Sequence, residues 1–241
     1  MDRIDNKANY RSRELVTGYD DQRRIDKDDY VNNRELDYFI SRIRHLIGST
    51  GSIIDMGAGT GKLSLAFARL GYSVTAFDQS EAMLERLEDK AKAQGLTIAC
   101  RLGDIVNDAP RVAIEPSYDA AVSSRVLMHV ADPEAMIKHM VMLSRKGIVL
   151  DAPRRFSPNR LLIALRAWTG GEVYRCFEDC ALMDSVARQG FKVIDATPMF
   201  NVPIGLHLAL RNKSLSALLE RSTTAMRTFS STLFITAKRV R

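Results

Sequence analysis

Apolar positions change their spacing along this chain, and each change marks an element. Over residues 30–47 the apolar side chains Val31, Leu36, Phe39, Ile40, Ile43, Leu46 and Ile47 recur near a helical period, which predicts a helix packed on a sheet. Ile53-Ile54 then starts a short β-branched run that stops at Asp55. Similar runs follow at Ser73–Phe77, Thr97–Leu102, Tyr118–Ser124 and Gly147–Asp151. Continuous apolar runs of this length read as buried strands. Helical patterns lie between them. Leu63, Leu65, Ala66, Phe67 and Leu70 form one; Gln79–Leu84 opens another, with Ser80 as N-cap and Glu81 in its first turn; Ala131–Ser144 is a third, with Pro133 tolerated near its start. Strands alternating with helices imply an α/β fold on a largely parallel sheet. A helix over Glu178–Gln189 ended by Gly190, and strands over Phe191–Ala196 and Thr232–Lys238, complete the pattern. Two apolar helical inserts, Pro153–Thr169 and Pro203–Arg227, interrupt it, and no internal repeat is visible.

The segment from Ile53 to Leu63 carries the most chemistry. A strand reaches Asp55, Gly57, Gly59 and Gly61 follow at every second position, and the helical pattern begins at once. Strand, tight turn and helix in this order hold a nucleotide-like ligand over a strand end. The glycines permit bends and close approach, and the helix start offers backbone N–H groups. A dinucleotide site would show G-x-G-x-x-G and take a pyrophosphate. Here the spacing is G-x-G-x-G, and Asp55 would repel a pyrophosphate but suits a ligand with cationic groups. Asp78 ends the second strand, 21 positions after Gly57, where a carboxylate is placed for ribose hydroxyls; it also suits a helix cap.

These features occur in the order found in the class I S-adenosyl-L-methionine (SAM)-dependent methyltransferases, which the chain resembles. Asp55–Gly61 resembles their motif I, D-x-G-x-G-x-G. Gly103-Asp104-Ile105 stands where an aspartate meets the adenine amino group beside an apolar neighbour. Tyr118–Ser124 resembles the fourth strand, and Val126-Leu127-Met128-His129-Val130 with Asp132-Pro133-Glu134 the segment after it. Tyr19-Asp20-Asp21-Gln22-Arg23 resembles a segment that folds across the cofactor in many of these enzymes, and reads equally as the start of a surface helix. The family's L-x-P-G-G turn is absent; Leu143–Gly147 takes its place.

The resemblance implies a single Rossmann-like domain over residues 1–241. Its seven-stranded sheet is mostly parallel with an antiparallel last strand, helices on both faces and helical cap inserts. Residues 1–50 form an N-terminal helical segment, 51–151 the cofactor-binding core, 152–230 the cap inserts and strand six, and 231–241 the last strand. It implies SAM contacts from Asp55, Gly57, Ala58, Gly59, Gly61, Asp78, Gln79, Met83, Asp104, Ile105 and Ser123. The Gly-Asp pair at Asp104 is also an ordinary turn. Lys62 reads as a solvated helix residue; no Walker pattern surrounds it.

Composition narrows the picture. No apolar run approaches membrane-spanning length, and the polar start Met1–Asn6 is unlike a signal peptide, so a cytoplasmic location without an integral membrane segment is expected. Cys100, Cys176 and Cys180 fit neither a disulfide framework nor a zinc site, and no metal-ligand set is legible. The last 90 residues carry 14 basic and 6 acidic side chains within a whole-chain charge of +6. Arg154, Arg155, Arg160, Arg166, Arg175, Arg211, Lys213, Arg221 and Arg227 are scattered among apolar residues, unlike a nucleic-acid patch; a solvated face accounts for most, and one or two suit an anionic acceptor.

The expected activity is methyl transfer to a small molecule, on oxygen of an amphipathic or anionic metabolite. The Asn/Asp-Pro-Pro-Tyr signature of adenine N-methylation is absent after strand four. His129 is the candidate general base for a hydroxyl acceptor, with a structural histidine as its other reading. Two alternatives stand beside this one: an NAD-dependent Rossmann oxidoreductase, and a catalytically silent SAM-binding partner subunit.

Overall fold

The computed structural model describes residues 16, 18–21, 27–108, 117–157 and 174–240. Residues 18–21 are helical. Helix α1 (Tyr30–Ile47) follows, capped by Asp29, whose carboxylate accepts from the Asn32 N–H at 2.9 Å. Then come β1 (Ser52–Met56), α2 (Lys62–Arg69), β2 (Ser73–Asp78), α3 (Glu81–Ala93), β3 (Ala99–Leu102), β4 (Tyr118–Ser123), α4 (Pro133–Leu143) and β5 (Ser144–Pro153). After these lie α5 (Asp179–Arg188), β6 (Phe191–Met199), α6 (Ile204–Leu210), α7 (Lys213–Ser222) and β7 (Thr232–Arg239). Short 3-10 turns occupy Leu127–His129 and Thr224–Phe229.

The seven strands form one sheet in the order β3-β2-β1-β4-β5-β7-β6. Strands β1 to β5 pair in parallel, and β7 slots between β5 and β6 antiparallel to both, as expected. Successive strand residues face opposite layers. Ile53, Val74, Ala120, Val122 and Phe234 pack with Phe39 and Ile43 of α1 and Phe67 of α2. Ile54, Met56, Ala121, Ile148 and Ile235 pack with Met136 and Met140 of α4 and Val186 of α5. Helices therefore cover both faces, which is why the strands read as unbroken apolar runs. Each of these side chains larger than alanine contributes roughly 1.5–3 kcal/mol by leaving water. Strand order reverses between β1 and β4, and that reversal opens a crevice at their carboxyl ends.

Four details depart from the sequence expectations. Strand β3 begins at Ala99, two residues later than its apolar run. Strand β5 begins at Ser144, directly after the last residue of α4, so Leu143–Gly147 holds no separate turn. The second insert is two helices rather than one, because Arg211 adopts a left-handed φ of 50° and Asn212 caps a new helix through the Leu215 N–H at 2.9 Å. In α1 the buried stripe includes the polar Asn32 and Glu35, while Leu36 and Ile40 are only partly covered. The first insert falls mostly at 158–173, outside the described residues.

Candidate active site

The turn after β1 is built from backbone bonds. The Gly57 and Ala58 N–H groups donate to the Phe77 carbonyl at 2.8 and 3.2 Å, and Gly61 donates to Ala58 at 3.0 Å. The Gly59 N–H donates to Asp78 Oδ2 at 2.8 Å. These four N–H groups bond within the protein and fix the shape of the turn. Two of the glycines are required by space as well as conformation. At Gly57 (φ 80°) a Cβ would lie 2.3 Å from Val126 Cγ2, so the segment after β4 closes directly onto the turn. At Gly61 (φ 91°) a Cβ would lie 2.0 Å from Leu87 Cδ1, so this glycine lets α2 and α3 pack together.

A cavity of about 340 Å³ opens at the carboxyl ends of β1, β2 and β4. Asp55 and Asp78 both line it, at the ends of adjacent strands. Gly57, Ala58 and Gly59 form its floor beside them, with Gln79 and Met83 from the start of α3. Asp104 and Ile105 enter after β3, and His129 enters after β4. Two expected residues do not line it: Gly61 packs on Leu87, and the Ser123 hydroxyl turns inward to donate to the Met56 carbonyl at 2.7 Å. Ser124 takes Ser123's place on the wall.

The two carboxylates differ in their partners. Asp55 is buried, and its Oδ2 accepts from Ser64 Oγ at 2.7 Å. Burial pushes its carboxyl up to about 7; the Ser64 hydrogen bond opposes this and the nearby Asp78 charge adds to it. Asp78 Oδ1 accepts from the Ser80 N–H at 2.9 Å while Oδ2 holds Gly59. Burial raises its carboxyl too, against three backbone N–H bonds. Ser80, not Asp78, is the helix cap, accepting from the Met83 N–H at 3.3 Å. Asp104 performs a turn role as well, its Oδ1 accepting from Val106 and Asn107 N–H groups at 2.8 and 3.2 Å.

Residues 53–147 match the family model described as a methyltransferase domain. Over these residues the chain is similar to a methyltransferase domain. A ubiquinone biosynthesis O-methyltransferase from Coxiella burnetii is 35% identical over 98 residues, 39% of this chain and 39% of that protein. A chloroplastic magnesium protoporphyrin IX methyltransferase from Arabidopsis thaliana is 39% identical over 116 residues, 47% of this chain and 36% of that protein. The chain thus spans well under two thirds of the curated relatives it matches. Magnesium protoporphyrin IX methyltransferase from Synechocystis PCC 6803, solved with bound SAH, shares the fold across 93% of this chain and 95% of its own, with a TM-score of 0.65 at 19% identity. No helix among the described residues is long and apolar enough to cross a membrane.

Several further residues lie where the sequence left alternatives open or pointed elsewhere. Tyr19 lines the cavity, and its neighbour Asp20 is buried against the glycine turn, accepting from Thr60 Oγ1 at 2.5 Å and from Arg86 and Lys90 at 3.2 and 3.3 Å. Residues 19 and 20 therefore lie against the core rather than start a free surface helix. Lys62, expected in solvent, is largely buried and pairs with Glu35 of α1. Arg125 lines the same wall and pairs with the other Glu35 oxygen. Glu35 had one legible signal, a carboxylate four residues after the buried Val31 and four before the buried Phe39. Arg154, read among the scattered basic residues of a largely solvated face, is instead buried, gripping Asp179 at 2.6 Å and the Thr228 and Ser230 carbonyls.

Proposed function

We propose that the protein is a SAM-dependent methyltransferase acting on an oxygen of a small amphipathic or anionic metabolite. The observation that carries this reading is the pair of buried carboxylates, Asp55 and Asp78, at adjacent strand ends around one glycine turn in one cavity. A pyrophosphate would meet two negative groups there, whereas an ammonium and a ribose diol would meet acceptors. SAM, when bound, supplies an activated methyl for in-line displacement. The chain's residues then have simple tasks. Asp55 faces the ligand's ammonium, Asp78 accepts from ribose hydroxyls, and Met83 with Ile105 offers apolar cover to the adenine. His129 takes the proton of a hydroxyl acceptor, and a carboxylate acceptor needs no base. The curated relatives, whose names state O-methylation in ubiquinone biosynthesis and methylation of magnesium protoporphyrin IX, support oxygen and an amphipathic acceptor. A cytosolic setting is part of the proposal, supported by three free cysteines. Calorimetry and thermal shift with SAM, SAH and NAD test the reading: SAM and SAH bind at micromolar concentrations and raise the melting temperature. Stabilisation by NAD alone, or no response at millimolar SAM, refutes it.

A further inference from the structure

Lys62 at the start of α2 and Arg125 just after β4 both line the cavity and share one acid. That acid, Glu35, has a side chain only 1% exposed. Arg125 Nε and Nη2 contact Glu35 Oε1 at 3.0 and 2.5 Å, and the Lys62 amine contacts Oε2. Burial alone would raise the Glu35 carboxyl, but the Arg125 and Lys62 charges hold it below the usual carboxylate range. Two cations on one carboxylate leave a positive charge uncompensated. A further acid beside them is Asp151, whose Oδ1 accepts from the Arg125 N–H at 2.6 Å. Burial pushes its carboxyl up to about 7, so near neutrality it offsets only part of that charge.

The arrangement includes a strained backbone position. Arg125 sits at a left-handed φ of 59°, a conformation costly for a residue with a Cβ, and Asp151 pins its backbone there. Its guanidinium presents five donors, of which Glu35 takes one from Nε and one from Nη2; Nη1 has no partner among the described residues. The Lys62 amine has two further N–H groups beyond the one on Glu35. A half-buried cation with unused donors at a cavity wall is stabilised by an anion that reaches it.

We propose that Lys62 and Arg125 form a carboxylate-binding subsite in the cavity, with Glu35 as the positioning residue that aims both cations. The subsite rests on the reading that this cavity holds the methyl donor and acceptor. Its carboxylate comes from the amino-acid end of the donor or from an acidic acceptor, and the same chemistry serves both.

The test uses the full chain and two pairs of probes, each pair differing in a carboxylate. In the first arm SAH is compared by calorimetry with its decarboxylated analogue. In the second arm, SAH-saturated protein is titrated with 3,4-dihydroxybenzoate and with its methyl ester. The wild type prefers the carboxylate by about tenfold to a hundredfold in at least one arm, the size expected of charge-assisted bonds. Arg125→Gln and Lys62→Gln each remove most of that preference. Both variants keep wild-type affinity for 5′-methylthioadenosine, which lacks the amino-acid part and reports an intact cavity. Preference in the first arm only assigns the subsite to the donor, and in the second only to the acceptor. No preference in either arm, or a preference that survives in whichever variant keeps its 5′-methylthioadenosine affinity, overturns the subsite. Failure of the wild type to bind SAH and 5′-methylthioadenosine would instead overturn the cofactor reading, and the subsite with it.

Discussion

Asp55 should make cofactor affinity depend on pH in the neutral range, with a sign that its burial decides. Its carboxyl is 2% exposed and pushed up to about 7. A ligand ammonium binds the ionised form, so apparent affinity scales with the ionised fraction. With a value of about 7, that fraction falls from roughly nine-tenths at pH 8 to roughly one-tenth at pH 6. SAH should then bind about tenfold more weakly at pH 6 than at pH 8, a loss of about 1.4 kcal/mol. Calorimetric titrations of SAH across this range measure it directly. Asp55→Asn should bind weakly at every pH and lose the slope. Asp151 also titrates near 7, but its ionised form repels a ligand carboxylate, so its contribution runs the other way. Asp151→Asn should therefore steepen the slope or leave it unchanged. A wild-type affinity that is flat or falls from pH 6 to pH 8, with Asp55→Asn behaving identically, would refute the assignment of Asp55 to an ammonium.

Asp78→Ala should lower SAH affinity about tenfold to a hundredfold. It should also destabilise the apo protein by about 1–3 kcal/mol, because Gly59 and Ser80 lose their acceptor; denaturant unfolding without ligand separates the two effects, and unchanged values in both would leave Asp78 without a role. His129→Ala should cut turnover on a hydroxyl acceptor by about 10²–10⁴ with SAH affinity unchanged, and full turnover would make His129 structural. Asp151→Asn should gain stability over the wild type as pH rises from 5 to 7. The raised folded value means that the wild-type native state keeps a proton which the unfolded chain releases above about 3.8, so wild-type stability falls as pH climbs toward 7 and levels off beyond. The difference between the two proteins should grow by about 2 kcal/mol over that interval, read from urea unfolding; a constant difference would show that Asp151 is ionised throughout.

Periodicity alone was enough to place the strands and helices of the core. Buried strands such as β1 are written largely in apolar residues, as at Ile53-Ile54, and helices such as α4 repeat their apolar face, so local composition carries the signal. The glycine turn and the carboxylates at Asp55 and Asp78 were equally legible, because a tight turn demands particular residue types in consecutive positions. Other features depended on residues far apart in the chain. The need for Gly61 comes from Leu87 on another helix, and the inward turn of Ser123 from a carbonyl on β1. Lys62 reads as solvated until α1 brings Glu35 across it, and Arg125 has no local motif at all. Backbone form and apolar burial are decided by near neighbours and average hydration, so sequence reveals them. A charge's partner is decided by which surfaces the fold presses together, and only the tertiary structure contains that information.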